Sequence, residues 1–191
     1  MQKLRITFVG TIPLLVHNTR LVDPLDSYTK RMSTLTAKLK KSDEDHEAIS
    51  RAQWEGGMYW DEDIGPYLPG EMIEAAIRDG AKRQKLGAAV TRSLVVTDDR
   101  VPIEYDGPRD LDGMWKDGRF RDRRAVKVGQ ARVIRTRPVF HQWAVTAEGV
   151  LDTRDMGVDD LANVAELAGM VTGMGDYRPR RGRFDALVEA L

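Results

Sequence analysis

Apolar and polar residues alternate over residues 4–9, with Leu4, Ile6 and Phe8 set against Arg5 and Thr7. This two-residue period predicts a half-buried strand. Gly10 breaks it, and Pro13, Leu14, Leu15 and Val16 continue as an extended apolar piece. The period then changes. After a cap at Asp26 or Ser27, Met32, Leu35 and Leu39 fall at helical spacing. Ser42 with Asp45 reads as a capping box that opens a second helix through Ile49, Ala52 and Gln53, ended by Gly56 and Gly57. Residues 27–55 therefore read as a polar helical insertion. Leu68, Pro69 and Gly70 lead into the strongest helical pattern, a stripe of Met72, Ile73, Ala76, Ile77 and Gly80. Glu71 and Glu74 sit in its first turns and Lys82, Arg83 and Lys85 in its last, with Gly87 as the expected C-cap, an order that suits the helix dipole.

Residues 93–96 and 101–105 predict short strands around Asp98, Asp99 and Arg100, while Asp106-Gly107-Pro108 and Asp112-Gly113 read as loops. Residues 124–128 and 132–140 flank Gly129-Gln130 as a long hairpin, and residues 143–151 predict another strand. Asp159 and Asp160 open a helix with Leu161, Val164, Ala165, Ala168 and Val171 on one face; Gly173 and Gly175 end it, and residues 184–188 close the sheet. This order predicts an α+β fold. Its simplest form is a ferredoxin-like or RNA-recognition-motif-like antiparallel sheet with two packing helices, in a single domain over 1–191. The helical insertion at 27–55 and a basic hairpin arm at 116–140 are its additions.

Charge sharpens this picture. The chain of 191 residues balances 30 Lys and Arg against 30 Asp and Glu, and 41% hydrophobic content is ample for a core. No apolar run approaches the roughly 18 residues of a membrane span, and the opening residues resemble neither a signal nor a transit peptide. A cytoplasmic protein without membrane association is expected. With no cysteine, disulfides, thiol nucleophiles and Cys-based zinc sites are excluded, and three scattered histidines (His17, His46, His141) offer little to a metal, so neither metal nor cofactor is expected. The neutral total hides segregation. Residues 116–137 carry nine basic side chains against two acidic ones, and Arg178, Arg180, Arg181 and Arg183 form a second basic cluster.

Two segments carry candidate chemistry. In the loop 173–184, Gly173, Gly175 and Gly182 allow close backbone approach to a ligand, Arg178, Arg180, Arg181 and Arg183 supply forked donors for phosphate, and Tyr177 and Phe184 offer rings for base stacking. The plain alternative is a solvated connection between helix and strand. In the hairpin, Arg119, Arg121, Arg123, Arg124, Lys127, Arg132, Arg135 and Arg137 form an arm suited to a nucleic-acid backbone, with Val133, Arg135 and Arg137 sharing one side of the second strand. A charged edge hairpin kept soluble is the alternative. His17 and His141 are weak catalytic candidates, and Asp61-Glu62-Asp63 and Asp98-Asp99 read as turn caps before metal ligands.

The segment Leu68-Pro69-Gly70-Glu71-Met72-Ile73-Glu74-Ala75-Ala76-Ile77-Arg78 resembles the opening of the first long helix in the RAMP superfamily, the ferredoxin-like subunits that bind and process guide RNA in CRISPR systems. Residues 173–184 resemble the glycine-rich loop that follows that family's second helix, although the glycine run is sparser here. The resemblance implies that Gly173, Gly175, Arg178, Arg180, Arg181 and Gly182 match a backbone-binding loop. The expectation is a non-catalytic protein that binds single-stranded RNA or DNA and self-associates or joins a multi-subunit complex. The alternatives are a metal-independent endoribonuclease using His17 or His141, and a protein-interaction scaffold.

Overall fold

The computed structural model describes residues 1–191 and is an α+β protein with antiparallel sheets. In chain order its elements are β1 (Gln2–Gly10), β2 (Leu14–Leu15), α1 (Ser27–Thr36), α2 (Asp43–Gly57), β3 (Trp60–Asp61), β4 (Gly65–Pro69) and α3 (Gly70–Ala81). Then follow α4 (Gly87–Ser93), β5 (Leu94–Val96), β6 (Arg100–Pro102), α5 (Leu111–Asp117), β7 (Arg121–Val128) and β8 (Ala131–Phe140). The chain closes with β9 (Ala144–Leu151), α6 (Val158–Val171) and β10 (Phe184–Ala190). Internal contacts group the chain into two compact units: Met1–Leu14, Trp60–Asp106 and His141–Leu191 in the first, Leu15–Tyr59 and Gly107–Phe140 in the second. None of the helices is long and apolar enough to cross a membrane.

The first unit is built on a sheet ordered β10-β1-β9-β5, antiparallel at every junction. Counted along the chain, these four strands run fourth, first, third, second, with α3 between the first two and α6 between the last two. The alternation of β1 is realised: Leu4, Ile6 and Phe8 are buried, while Lys3, Arg5 and Val9 on the opposite face are exposed. The stripe of α3 (Ile73, Ala76, Ile77) and that of α6 (Leu161, Val164, Ala165, Ala168) are buried where these helices pack together. A small sheet, β3-β4-β6, feeds straight into α3, whose Gly70 N–H donates to Asp99 O at 3.3 Å.

Gly87 does not cap α3. The helix gives way to a 3₁₀ turn at Lys82–Gln84, Lys85 adopts a φ of 62°, and Leu86 N–H donates to Ala81 O at 3.0 Å. These groups satisfy the helix end, so Gly87 is free to open α4. Asp112 and Gly113 are likewise helical. The Asp110 carboxylate accepts from Gly113 N–H at 2.7 Å, and Met114 and Trp115 behind it are buried, which outweighs the low helix propensity of glycine.

The second unit has its own core. The caps read from the sequence are present: Asp26 accepts from Tyr28 and Thr29 N–H, and Ser42 with Asp45 forms the capping box of α2. Yet the segment 27–55 is more than a polar surface, because Ala52 and Trp54 are fully buried. Trp54 Nε1 donates to Phe120 O at 2.7 Å, and its ring meets Trp115 edge-on with centroids 5.5 Å apart. Phe120 and Phe140 close the same core at the root of the β7–β8 hairpin, and Val16 N–H ties the incoming chain to Pro138 O at 3.0 Å. A polar seam joins α2 to β8: Thr136 N–H donates to Gln53 Oε1 at 3.0 Å, and the Thr136 and Ser50 hydroxyls lie 3.1 Å apart.

A Cβ placed on Gly80 would lie 2.4 Å from the Ala168 Cβ, so α3 and α6 meet at a distance only glycine permits. Alanine gains about 1 kcal/mol of helix propensity, but forcing a methyl into a packed seam costs about 1–3 kcal/mol. Gly80→Ala is therefore expected to lower the thermal midpoint; a rise would show that the seam relaxes freely.

Candidate functional site

The loop after α6 is closed at its neck. Met174 N–H donates to Gly182 O at 2.8 Å, Gly182 N–H to Pro13 O at 2.9 Å, and Thr11 N–H to Arg183 O at 2.8 Å. The neck explains two of the glycines. Gly173 and Gly182 have φ values of 71° and 69°, where side chains are disfavoured. A Cβ on Gly182 would lie 1.9 Å from Met174 O, and one on Gly173 would lie 2.7 Å from Arg181 O. They let the loop's own backbone close, where the sequence suggested approach to a ligand. Gly175 lies just beyond the neck.

Beyond the neck, Tyr177, Arg178 and Arg180 are exposed and Arg181 and Arg183 half-buried. Arg183 Nε folds back to Pro179 O at 2.9 Å. Arg178 reaches Asp79 of α3 at 3.3 Å, and Lys82 donates to the same carboxylate at 2.8 Å. Burial acts to raise the Asp79 pKa; the hydrogen bonds from Lys82 and Arg178 and the charges of Lys82 and Arg78 outweigh it, so the carboxyl stays ionised below its usual range. Arg180 and Arg181 have no carboxylate partner. The loop thus separates one arginine that anchors the tip from two that remain available to an external anion. Asp79 and Lys82 were not legible as site residues. Their only signal was the three-residue spacing at the basic end of α3.

In the hairpin the basic residues also divide. Arg119 makes a two-pronged pair with Asp117 (2.7 and 2.9 Å), Arg124 pairs with Asp122, and Arg121 lies over the Trp115 ring at 4.5 Å with Glu47 at 3.5 Å. Arg137 is 8% exposed, in the cross-strand position opposite Asp122. It belongs to the interior, so the face it was expected to share with Arg135 offers one accessible arginine. Arg123, Lys127, Arg132 and Arg135 have no carboxylate partner. The register sets Lys127 opposite Arg132 and Arg124 opposite Arg135. Like charges directly across a ladder oppose pairing, each on the scale of roughly 0.2–1 kcal/mol. A hairpin selected only for solubility would gain by interleaving acids at these positions.

Of the two rings suggested for stacking, Phe184 is structural, and so is its neighbour Trp143. Phe184 is 1% exposed, stacked on Phe8 with centroids 4.0 Å apart, and Trp143 sits edge-on to it while its Nε1 donates to Ile12 O at 3.1 Å. Tyr177, 46% exposed, is the ring the loop presents. His17 and His141 are both exposed and belong to different units. Asp61 caps its own turn, accepting from Asp63 N–H at 2.9 Å, whereas Asp98 reaches across to accept from Glu148 N–H at 2.7 Å. No three His, Asp or Glu side chains group as metal ligands.

No family model matches this chain, and no curated protein matches it.

Two outcomes follow from this geometry. A carboxyl NMR titration should place the Asp79 midpoint below 3.8, its ordinary value, and Arg178→Ala should move it upward; an unshifted midpoint in both proteins would break the Arg178–Asp79 anchor. Phe184→Ala should destabilise the protein by about 3–5 kcal/mol, while Tyr177→Ala should change stability little; the reverse order would return Phe184 to the surface.

Proposed function

We propose that this chain is a non-catalytic protein that binds single-stranded nucleic acid, built on a ferredoxin-like first unit similar to the RAMP proteins. The observation that carries the reading is the register of the hairpin, which sets Lys127 opposite Arg132, neither with a carboxylate partner, and Arg135, also without one, opposite the Asp122-paired Arg124. An arrangement that opposes its own ladder is relieved by a polyanion, whose phosphates neutralise both sides together. Arg180 and Arg181 at the loop tip add the same chemistry on the first unit.

The ferredoxin-like reading is supported by the fourth-first-third-second strand order with helices at the two crossovers. The RAMP resemblance rests on Pro69-Gly70 opening α3 and on the position of the basic loop after α6. Single strands are favoured over duplex because Tyr177 is exposed among arginines, where an unpaired base can stack. The open face of the sheet is a poor alternative platform. It presents Val9, Leu187 and Arg5, with Glu148 and Glu189 flanking Arg5 in register, and no aromatic ring. No histidine lies on the hairpin or on the loop, which favours binding over hydrolysis.

Charge also supports self-association. The second unit carries 17 Lys and Arg against 11 Asp and Glu, a net +6, and the first unit 13 against 19, a net −6. Each copy therefore offers a neighbour surface of opposite sign.

Fluorescence anisotropy with labelled single-stranded RNA, single-stranded DNA and duplex across a salt series tests this. Single strands should bind more tightly than duplex, with affinity falling as salt rises. Arg132→Ala and Arg180→Ala should each lower the salt slope by about 0.7, the single-strand value per phosphate contact. Absence of binding to all three at low salt would overturn the reading.

A further inference from the structure

We propose that the cleft between α2 and the β7–β8 hairpin is a binding site for the phosphate group of a nucleotide. The cavity measures about 630 Å³ and lies wholly within the second unit. That volume falls in the range of small-ligand pockets, about 300–1,000 Å³, and is far larger than a lone inorganic anion needs. The proposal rests on the nucleic-acid reading only in sharing Arg123 and Arg135 with it.

The lining has two chemistries. Ile49 of α2 and Ile134 of β8, on the same face of the hairpin as Thr136, form an apolar side, and Ile134 is left 49% exposed. Arg123, on the Thr136 face of the hairpin and without a carboxylate partner, enters the same space with Lys41 and His46, and Arg135 borders it. Asp43, at the start of α2, is the one carboxylate of the lining. Cations gathered against one acid favour an anion, and an apolar wall beside them favours a ligand with a flat or weakly polar body. A nucleotide joins both in one molecule.

Gln53 adds directionality. Its Oε1 is committed to Thr136 N–H at 3.0 Å, which fixes the amide orientation and leaves the Nε2 hydrogens to donate elsewhere. Gln53 lines the cavity, and Nε2 has no partner in the protein. Arg123 stands directly across the ladder from Thr136 and so on the same face of the hairpin. A phosphate seated here would accept from the Gln53 amide and from the Arg123 fork, a charge-assisted contact of the kind that holds phosphate oxygens most strongly. The adjacent smaller cavity, about 210 Å³, shares Ser50 and Arg123 with the first, so a chain of nucleotides could continue past Arg123 toward Trp115.

Calorimetric titration of the full chain with AMP, adenosine and inorganic phosphate tests the site, beside anisotropy with a 5′-phosphorylated single-stranded oligonucleotide. Gln53→Glu keeps an acceptor for Thr136 N–H and replaces the amide donor by a negative charge; Lys41→Ala removes a lining cation that lies outside the hairpin and the core, and serves if the first variant folds poorly. AMP binding that adenosine does not match, weakened at least tenfold by either variant at unchanged thermal midpoint, supports a site for free nucleotides. Failure of AMP with a tenfold loss of oligonucleotide binding in both variants supports the site with a strand phosphate as its occupant. AMP no better than adenosine, with oligonucleotide binding unchanged in both variants, overturns the cleft and leaves the strand-binding reading intact. AMP binding lost in the variants, in a protein that binds no oligonucleotide, upholds the cleft and overturns strand binding.

Discussion

The ladder between β7 and β8 holds Lys127 against Arg132 and Arg124 against Arg135, and backbone hydrogen bonds leave these pairs no means of moving apart along the strands. Repulsion between exposed charges at this spacing is modest in water and weakens further with salt. It nonetheless opposes the pairing that creates it. The hairpin is stable because its root is anchored elsewhere: Phe120 and Phe140 pack edge-on, Trp54 Nε1 holds Phe120 O, and Thr136 is tied to Ser50 and Gln53. Apolar burial at the root supports an excess of positive charge further out. That separation is what an arm directed at a polyanion requires.

The first unit solves the same problem with a loop. Its neck is shut by backbone hydrogen bonds and by glycines at Gly173 and Gly182 that let the two strands of the neck touch. Arg178 is spent on Asp79, which fixes the tip against α3, and Arg180 and Arg181 are left without a carboxylate partner. In both units, then, some basic residues are structural and others unpartnered. Counting arginines along the chain could not make that division, because it depends on which carboxylates the fold brings near.

Much of the architecture was legible because it rests on local periodicity. The alternation of Leu4, Ile6 and Phe8, the stripe of α3, the caps at Asp26 and Ser42 and the turn at Gly129-Gln130 are all encoded within a few residues. Long-range packing was not. Phe184 opens the strand expected over 184–188, yet its ring, read as a stacking surface for a base, is buried against Phe8, far away in sequence. Arg137 follows the alternation of an exposed arm but falls where the hairpin enters the core. Asp112-Gly113 is loop chemistry by composition and helix by virtue of Asp110 and the buried Trp115. Gln53 looked like one more polar helix residue, and only the hydrogen bond from Thr136 gives its amide a direction.

Where a bound oligonucleotide lies tests strand binding most directly. Photo-crosslinking of the full chain to a single-stranded oligonucleotide carrying thiolated bases, read by peptide mass spectrometry, locates it directly. The account expects adducts at the loop tip around Tyr177 and along the hairpin between Arg123 and Arg135. Adducts confined to the open sheet face, on β1 and β10, would contradict it.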